Sequence, residues 1–204
     1  ACSIGENSEE KYKILDTCAA PGGKSLHIAS KYLNSTLISC DKYIHKLALI
    51  KDNIKRLGIT NIDVKEQDAT NMNSSFINNF DIVVCDVPCS GIGVIKNKPE
   101  IKYKITSKYV EDISKLQYQI LENSKNYVKK GGILMYSTCT IDKRENIENI
   151  EKFLKENKDF SLESISLNNS IVKTRENGVL EILPDEYSCD GFFIAKLKKM
   201  EEKC

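Results

Sequence analysis

Short apolar runs, rich in isoleucine and valine, alternate along the chain with longer segments in which apolar residues recur every three or four positions. The short runs have the length and composition of β-strands, and the longer segments have the period of amphipathic helices. The predicted strands are residues 12–16, 36–41, 62–67, 80–86, 132–137 and 191–198. The predicted helices are residues 23–33, 44–57, 107–129 and 142–157. This alternation predicts an α/β fold made of βαβ units, with a mostly parallel sheet and helices on both of its faces.

Local signals predict where some of these elements end. Two of the predicted helices end at Gly58 and Gly131, as helices do when a glycine forms a left-handed C-cap. Asp142 stands three residues before Glu145, which is the spacing of a capping box at the start of the last predicted helix. The segment 160–190 is polar and weakly periodic, and we expect it to form a hairpin packed on the edge of the sheet.

Composition is that of one soluble globular domain, which we take to span residues 1–204. The 204 residues are 41% hydrophobic, and 30 basic against 29 acidic residues leave a net charge of only +1, so an anionic partner must bind a local patch. The eight cysteines form no CxxC pair and lie mostly in apolar runs, which favours reduced thiols and an intracellular protein. Neither an apolar run of about 18 residues nor a signal-like first segment occurs, so we expect no membrane association.

The first chemical signal is a turn of small residues between a strand and a helix, ILDTCAAPGGKSLHIA at residues 14–29. Small residues let the backbone approach a ligand, and the helix start offers free amide donors. Asp41 ends the next strand 19 residues after Gly22, which is where an acidic residue binds a ribose in Rossmann-type sheets. Because the GxGxxG fingerprint is absent, we expect a nucleoside ligand without a pyrophosphate. Asp68 follows the third strand and is either an adenine-side ligand or a surface carboxylate.

Two further strand ends carry thiols. The sequence FDIVVCDVPCSGIGVIKNKPEIKYK at residues 80–104 places Asp86 and Cys89 on one strand-end turn, where an acid and a thiol can reach the same small pocket. Cys139 comes just after the strand 132–137 and before a predicted helix start, which could lower the pKa of its thiol, whereas the negative charge of nearby Asp86 should disfavour the thiolate of Cys89. A lone cysteine of this kind is usually structural, but two at the edge that carries the glycine turn are candidate catalytic groups.

A run of lysines follows the second motif. Its members are Lys96, Lys98, Lys102 and Lys104. Such runs are usually solvated surface, but this one adjoins the predicted pocket, so we expect contact with phosphates of a nucleic acid.

Taken together, these motifs resemble the Nop/Sun family of RNA (cytosine-5)-methyltransferases. In the order of the family they are DTCAAPGGK, the acidic Asp41, DVPCSG followed by KNKPEIKY, YSTCT followed by Glu145 and Asn146, and DGFFIAKLKK. The resemblance covers roughly residues 14–198. It implies a Rossmann-like core that uses S-adenosyl-L-methionine, with an antiparallel C-terminal strand. Members of the family carry an N-terminal RNA-recognition extension, which we expect to be absent from this chain.

The resemblance also implies roles for individual residues. The wall on the methionine side of the cofactor would consist of Cys18, Ala19, Ala20, Pro21, Gly22, Gly23 and Lys24. Asp41 would hold the ribose, Asp68 would contact the adenine end, and Asp86 would lie beside both the cofactor and the target base. Cys139 would be the nucleophile, and Cys89 would help to break down the covalent adduct.

The implied reaction is methylation of cytosine C5 in ribosomal or transfer RNA, through an adduct of a cysteine at C6. We expect a single-stranded or locally unfolded RNA segment as substrate, because the base must leave its stack. The protein is expected to be a monomer without a metal, in the cytoplasm, the nucleus or nucleolus, or an organelle. One alternative is a DNA cytosine-5 methyltransferase, in which Cys89 of the Pro-Cys motif would be the nucleophile. Another is a catalytically silent methyltransferase fold that binds RNA.

Overall fold

The computed structural model describes residues 9–165 and 178–201, which form eight strands and five α-helices in chain order. The strands are Lys13–Asp16 (β1), Thr36–Asp41 (β2), Ile62–Glu66 (β3), Phe80–Asp86 (β4), Val128–Thr138 (β5), Phe160–Leu162 (β6), Val179–Ile182 (β7) and Phe192–Lys199 (β8). The helices are Gly23–Lys31 (α1), Ile44–Leu57 (α2), Ser107–Ser124 (α3), Ile147–Glu156 (α4) and Pro184–Tyr187 (α5). Short 3₁₀ turns occur at Ile92–Val94, Pro99–Tyr103, Lys125–Tyr127 and Lys143–Glu145, among others.

One mixed sheet contains all eight strands, in the order β3-β2-β1-β4-β5-β8-β6, with β7 also paired to β8. The first five strands pair in parallel, and β8 runs antiparallel to β5. The sheet therefore confirms the predicted α/β class, including the antiparallel C-terminal strand.

Helices cover both faces of this sheet. Successive residues of β1 point to opposite sides, so Leu15 packs in a cluster with side chains of α3 and α4, while Ile14 packs with side chains of α1. The α4 sequence IENIEKFLKE buries Ile150 and Phe153, three residues apart on one helix face. Within the two described stretches, no helix is both long and apolar enough to cross a bilayer.

The ends of α2 and α3 differ in how well the sequence predicted them. Gly58 ends α2 at φ 66° and donates to the last carbonyls, as expected. By contrast, α3 stops at Ser124, so the prediction that it continues to residue 129 and ends at Gly131 was wrong. Residues 128–132 belong to β5, where Val128 pairs with Phe80 and the register then shifts. Gly131 has φ 75° within this bulge rather than at a helix end.

The predicted capping box was also wrong. The Asp142 carboxylate accepts a hydrogen bond from the Arg144 amide, but a 3₁₀ turn follows and α4 begins only at Ile147. Glu145 does not reach back to the helix start, because its carboxylate is completely buried and accepts hydrogen bonds from other segments.

The expected late hairpin takes a different form. Strands β6 and β7 do not pair with each other, and both pair antiparallel with β8, β6 along residues 197–199 and β7 along residues 192–195. They therefore lie end to end on the same edge of β8. Residues 166–177, which fall within the segment of this prediction, lie outside the described residues.

Candidate active site

The carboxyl ends of the parallel strands meet beside one cleft of about 400 Å³. Seven of the predicted site residues line it, namely Cys18, Ala20, Asp41, Asp68, Asp86, Cys89 and Cys139. This is the edge at which open α/β sheets bind ligands.

The glycine turn is held close to the ends of β1 and β2. The Ala19 amide donates to the Cys40 carbonyl at 2.8 Å, and the Gly22 amide donates back to the Ala19 carbonyl at 2.7 Å. Gly22 has φ 106°, a conformation that side chains disfavour, and α1 begins at the next residue. The turn therefore needs glycine at this position to lead from the strand into the helix.

The carboxylate of Asp41 links this turn to the start of α2. Asp41 is 7% exposed, and its two oxygens accept from the amides of Ala20 at 3.3 Å and Tyr43 at 3.0 Å. An ionised carboxylate offers about four acceptor positions, so two protein donors leave capacity for hydroxyl groups in the cleft.

Asp68 has cationic and neutral partners. Its carboxylate forms an ion pair with Lys42 at 2.8 Å and accepts from the amide and hydroxyl of Thr70. The hydrogen bond from Lys42 is the main cause that lowers the pKa of Asp68 to about 2. Asp68 is therefore held as an ordered carboxylate at the wall of the cleft.

Asp86 ends β4 between a lysine and a hydroxyl. Lys24 Nζ lies 2.6 Å from one carboxylate oxygen, and Ser137 Oγ donates to the other at 2.7 Å. Lys24 also lies 5.0 Å from the ring centroid of Phe192 and lines a small neighbouring cavity of about 40 Å³. Of the residues predicted to form the methionine-side wall, the 400 Å³ cleft is lined by Cys18 and Ala20 but not by Ala19, Pro21, Gly22, Gly23 or Lys24.

The two candidate thiols lie side by side. Cys89 Sγ and Cys139 Sγ are 3.0 Å apart, and the amide of Cys139 donates to Cys89 Sγ at 3.3 Å. When the Cys89 thiol donates to Cys139 Sγ, the hydrogen bond between the two sulfurs lowers the pKa of Cys139 to about 7. Burial and the charge of Asp86 act in the opposite direction. The same bond and burial raise the pKa of Cys89 well above its ordinary value. Cys139 is therefore the thiol that ionises first.

The order of the two pKa values agrees with the sequence-based expectation, but its cause does not. The helix start that was expected to lower the pKa of Cys139 is not near it, since α4 begins only at Ile147. The neighbouring Asp86 was expected to raise the pKa of Cys89, whereas the hydrogen bond with Cys139 is the largest cause.

Close backbone contacts fix the loop of Cys139. The Gly93 amide donates to the Cys139 carbonyl at 3.1 Å, and the Gly191 amide donates to the Gly93 carbonyl at 2.7 Å. A Cβ on Gly93 would lie 2.5 Å from the Gly191 carbonyl oxygen. We call these three residues the loop junction, because they join the loops after β4 and β5 to the start of β8.

The four predicted RNA-binding lysines lie outside the cleft. All of them are exposed, on or beside the 3₁₀ turns that follow β4. Ile101, in the same segment, packs against Gly91, where its Cδ1 lies 3.0 Å from the position of an added Cβ. The lysine segment is therefore attached to the loop that carries Cys89.

Sequence reasoning missed several residues that line the cleft. They are Thr17, Lys42, Tyr43, Lys46, Ala69, Thr70, Val87, Pro88, Leu116 and Ile120. Those that follow a strand end could have been found by the rule that identified Asp41 and Asp68, namely that ligands bind at the carboxyl ends of the strands. Leu116 and Ile120 come from α3, and only the packing of that helix brings them there. The two described stretches contain no cluster of three or more His, Cys, Asp or Glu side chains suited to a metal ion.

The fold, with its cleft at the carboxyl ends of the parallel strands, is that of the Rossmann-like methyltransferases. More specifically, residues 4–198 match the model of the 16S rRNA methyltransferase RsmB/F family, and the chain belongs to that family. It is 43% identical over 192 residues to a probable ribosomal RNA small subunit methyltransferase B of Bacillus subtilis, covering 91% of this chain and 43% of that protein. A ribosomal RNA small subunit methyltransferase F of Vibrio campbellii is 32% identical, with 95% and 41% covered. The chain thus spans less than half the length of these relatives.

Solved structures give the same classification. NSun6 from Pyrococcus horikoshii with SFG has a TM-score of 0.84 and 33% identity, covering 96% of this chain and 50% of that one. A methyltransferase homologue from the same organism has a TM-score of 0.77 and 27% identity, with 94% and 63% covered. These matches confirm the expected family and the Rossmann-like methyltransferase fold.

Proposed function

We propose that this chain is the catalytic domain of an RNA (cytosine-5)-methyltransferase that acts on ribosomal or transfer RNA, with Cys139 as the nucleophile. The observation that carries the proposal is the pair of thiols 3.0 Å apart, in the cleft that also holds Asp86. A thiolate and a second, protonated thiol are what addition to a pyrimidine and later release require. The ribosomal RNA methyltransferases among its relatives support RNA as the substrate.

The residues of the cleft fit S-adenosylmethionine. Asp41 retains acceptor capacity for a ribose diol, and Asp68 stands further along the same wall. The side chains of Val87, Leu116 and Ile120 supply apolar lining for a flat base. When bound, the cofactor supplies an electrophilic methyl group.

Cytosine C5 is a poor nucleophile, and addition of a thiolate to the ring makes it a stronger one. The Cys139 thiolate adds to C6, which converts the ring into an enamine whose C5 carries the negative charge needed to attack a methyl group. Asp86 lies beside the thiols, where its carboxylate can accept a hydrogen bond from the N4 amino group and so orient the base for attack.

In release, a base takes the C5 proton, the electrons of the C5–H bond form the C5=C6 double bond, and Cys139 leaves C6 as a thiolate; a water or a second thiol serves as this base. The Cys89 thiol lies 3.0 Å from Cys139 Sγ, so it can donate a hydrogen bond to the departing thiolate. The lysine segment 96–104 would bind the phosphates of a single-stranded RNA near the cleft, and the packing of Ile101 against Gly91 in the Cys89 loop supports this.

Trapping the adduct tests this function. The full-length protein that contains this chain would be incubated with S-adenosylmethionine and 16S rRNA, and the products would be separated on denaturing gels. We expect Cys139→Ala to form no covalent RNA complex, and Cys89→Ala to accumulate one because addition proceeds while release stalls. Cys189→Ala, at an exposed cysteine, is the matched control and should behave as the parent does. An adduct that persists in Cys139→Ala and requires Cys89 would instead favour the DNA-type arrangement.

A further inference from the structure

A buried carboxylate lies behind the thiols and takes no part in the reaction proposed above. Glu145 is 0% exposed. Its Oε2 accepts from the Ser90 amide and from Gln117 Nε2, both at 2.8 Å. Its Oε1 accepts from the Ser90 hydroxyl at 2.5 Å and from the Thr140 hydroxyl at 3.0 Å. Glu145 therefore accepts four hydrogen bonds, all of them from neutral donors.

These donors belong to the two loops that carry the thiols. Ser90 directly follows Cys89, and Thr140 directly follows Cys139. The hydroxyls of Ser90 and Thr140 are also 2.9 Å from each other. Glu145 thus joins the residue after one thiol to the residue after the other.

The neighbouring residues brace this connection. Gln117 Nε2, which donates to Glu145, also donates to the Pro88 carbonyl at 2.9 Å. Asn146 accepts from the Thr138 hydroxyl at 2.6 Å and donates to the Thr140 carbonyl at 2.9 Å. These contacts each hold one loop, whereas Glu145 contacts both.

We propose that Glu145 is a positioning residue that holds the Cys89 and Cys139 loops together, so that the two thiols stay within hydrogen-bonding distance. The proposal rests on the proposed function, because it assigns Glu145 to the reaction of Cys139. A buried carboxylate is costly to desolvate, so this site is stable only when its four donors stay in place. The loops therefore cannot separate without leaving buried polar groups unpaired.

The pKa of Cys139 reports this geometry directly. The hydrogen bond from Cys89 is the largest cause that lowers it, so moving the loops apart should raise it. The charged groups that face Cys139 are Asp86, which raises the pKa, and Lys24, which lowers it. Neither contacts Glu145, so both remain when Glu145 is replaced.

Two replacements of Glu145 separate geometry from charge. In Glu145→Gln, the amide oxygen can accept from Ser90 N and Gln117 Nε2, while the amide nitrogen donates to the hydroxyls of Ser90 and Thr140, which can turn to accept. This variant should keep the loops joined. Glu145→Leu fills similar space but accepts nothing, so it should release them.

The measurement is the rate at which iodoacetamide alkylates Cys139 between pH 5 and pH 10, resolved by mass spectrometry, with neither RNA nor cofactor present. We expect Glu145→Gln to keep the parent's midpoint. Glu145→Leu should shift it upward by about one pH unit or more, which lowers the rate at pH 6 roughly tenfold. Asn157→Ala, which removes another buried hydrogen-bonded side chain at the far end of α4, is the control for general destabilisation and should leave the midpoint unchanged.

If Glu145→Leu does not fold, Ser90→Ala and Thr140→Val test the proposal in its place, since each removes a single hydroxyl that contacts Glu145. Both should shift the midpoint in the same direction by a smaller amount. The proposal would be overturned if folded Glu145→Leu, or folded Ser90→Ala and Thr140→Val in its place, had the same Cys139 midpoint as the parent. Because the readout uses only the thiol, failure of the parent to methylate RNA would count against the proposed function alone.

Discussion

Replacing Asp16 by asparagine should make the free energy of unfolding less dependent on pH. Asp16 is 0% exposed, and its carboxyl group accepts from the Ser25 hydroxyl at 2.5 Å and from the Cys18 amide at 3.3 Å. Burial is the main cause that raises its pKa from 3.8 to about 7. Asparagine can keep both contacts, because its carbonyl accepts from the Cys18 amide and its amide donates to the Ser25 oxygen.

The size of the effect follows from the difference between the folded and unfolded pKa values. Between about pH 4 and pH 7 the folded chain keeps a proton on Asp16 that the unfolded chain has lost. Stability is therefore greatest at low pH and falls as the pH rises through this window, after which it is constant. The slope is about 1.4 kcal/mol per pH unit well below the folded pKa and falls to half of that at the folded pKa, so the loss is about 2.3 kcal/mol from pH 5 to pH 7 and about 3 kcal/mol from pH 5 to pH 8. Asparagine does not titrate and avoids this loss.

Urea unfolding of the parent and Asp16→Asn at pH 5 and pH 8 measures this directly. The free energy of unfolding of the variant minus that of the parent should be about 3 kcal/mol larger at pH 8 than at pH 5. Asp52→Asn makes the same chemical change at an exposed position of α2 and reports what the replacement does by itself. A difference between Asp16→Asn and the parent that is the same at both pH values would refute the assignment of a raised pKa.

Three further outcomes are expected. Asp41→Asn should weaken S-adenosylmethionine binding in calorimetry by about 1.5–3 kcal/mol, since it loses a charged acceptor, and unchanged affinity would remove Asp41 from the ribose site. Replacing the four lysines of segment 96–104 by glutamine should flatten the salt dependence of RNA binding by about 0.7 per lost contact, and an unchanged slope would make the segment solvated surface. Gly191→Ala should destabilise the chain to urea by about 1–3 kcal/mol, because its Cβ would lie 2.9 Å from the Gly93 Cα, whereas parent-like stability would show that the loop junction can relax.

The sequence predicted the sheet well because buried strands are continuous apolar runs. The strand at residues 80–86, for example, coincides with β4. Predictions failed where a partner far along the chain decides the local structure. Val128 belongs to a strand because Phe80 pairs with it, and no pattern within residues 107–131 shows that. Strands β6 and β7 lie on one edge of β8 for the same reason, since their partner follows both of them in sequence.

For the site, the sequence predicted which residues lie at the same edge of the sheet, but not which hydrogen bonds and ion pairs they form there. The strand-end rule placed Asp41, Asp86 and Cys139 at one edge, since parallel strands end together. The ion pair between Lys24 and Asp86 joins residues far apart in sequence, so it had no local signal. Glu145 was misassigned for a related reason, because its spacing from Asp142 is that of a cap whereas its actual donors lie in other segments.

The loop junction also sets an order of events during synthesis. A ribosome releases the N-terminal part of a chain first, so strands β1 to β5 can pair while later residues are still being added. At that stage Gly93, whose amide donates to the Cys139 carbonyl, does not yet accept its own hydrogen bond from the Gly191 amide, because residue 191 has not been added. A nascent chain that ends before residue 191 would therefore hold the nucleoside side of its cleft in place while the thiol loop was still unsupported. Under the proposed function, the capacity to bind the cofactor should then precede the capacity to react, and the newly made chain would become reactive only when β8 joins the sheet.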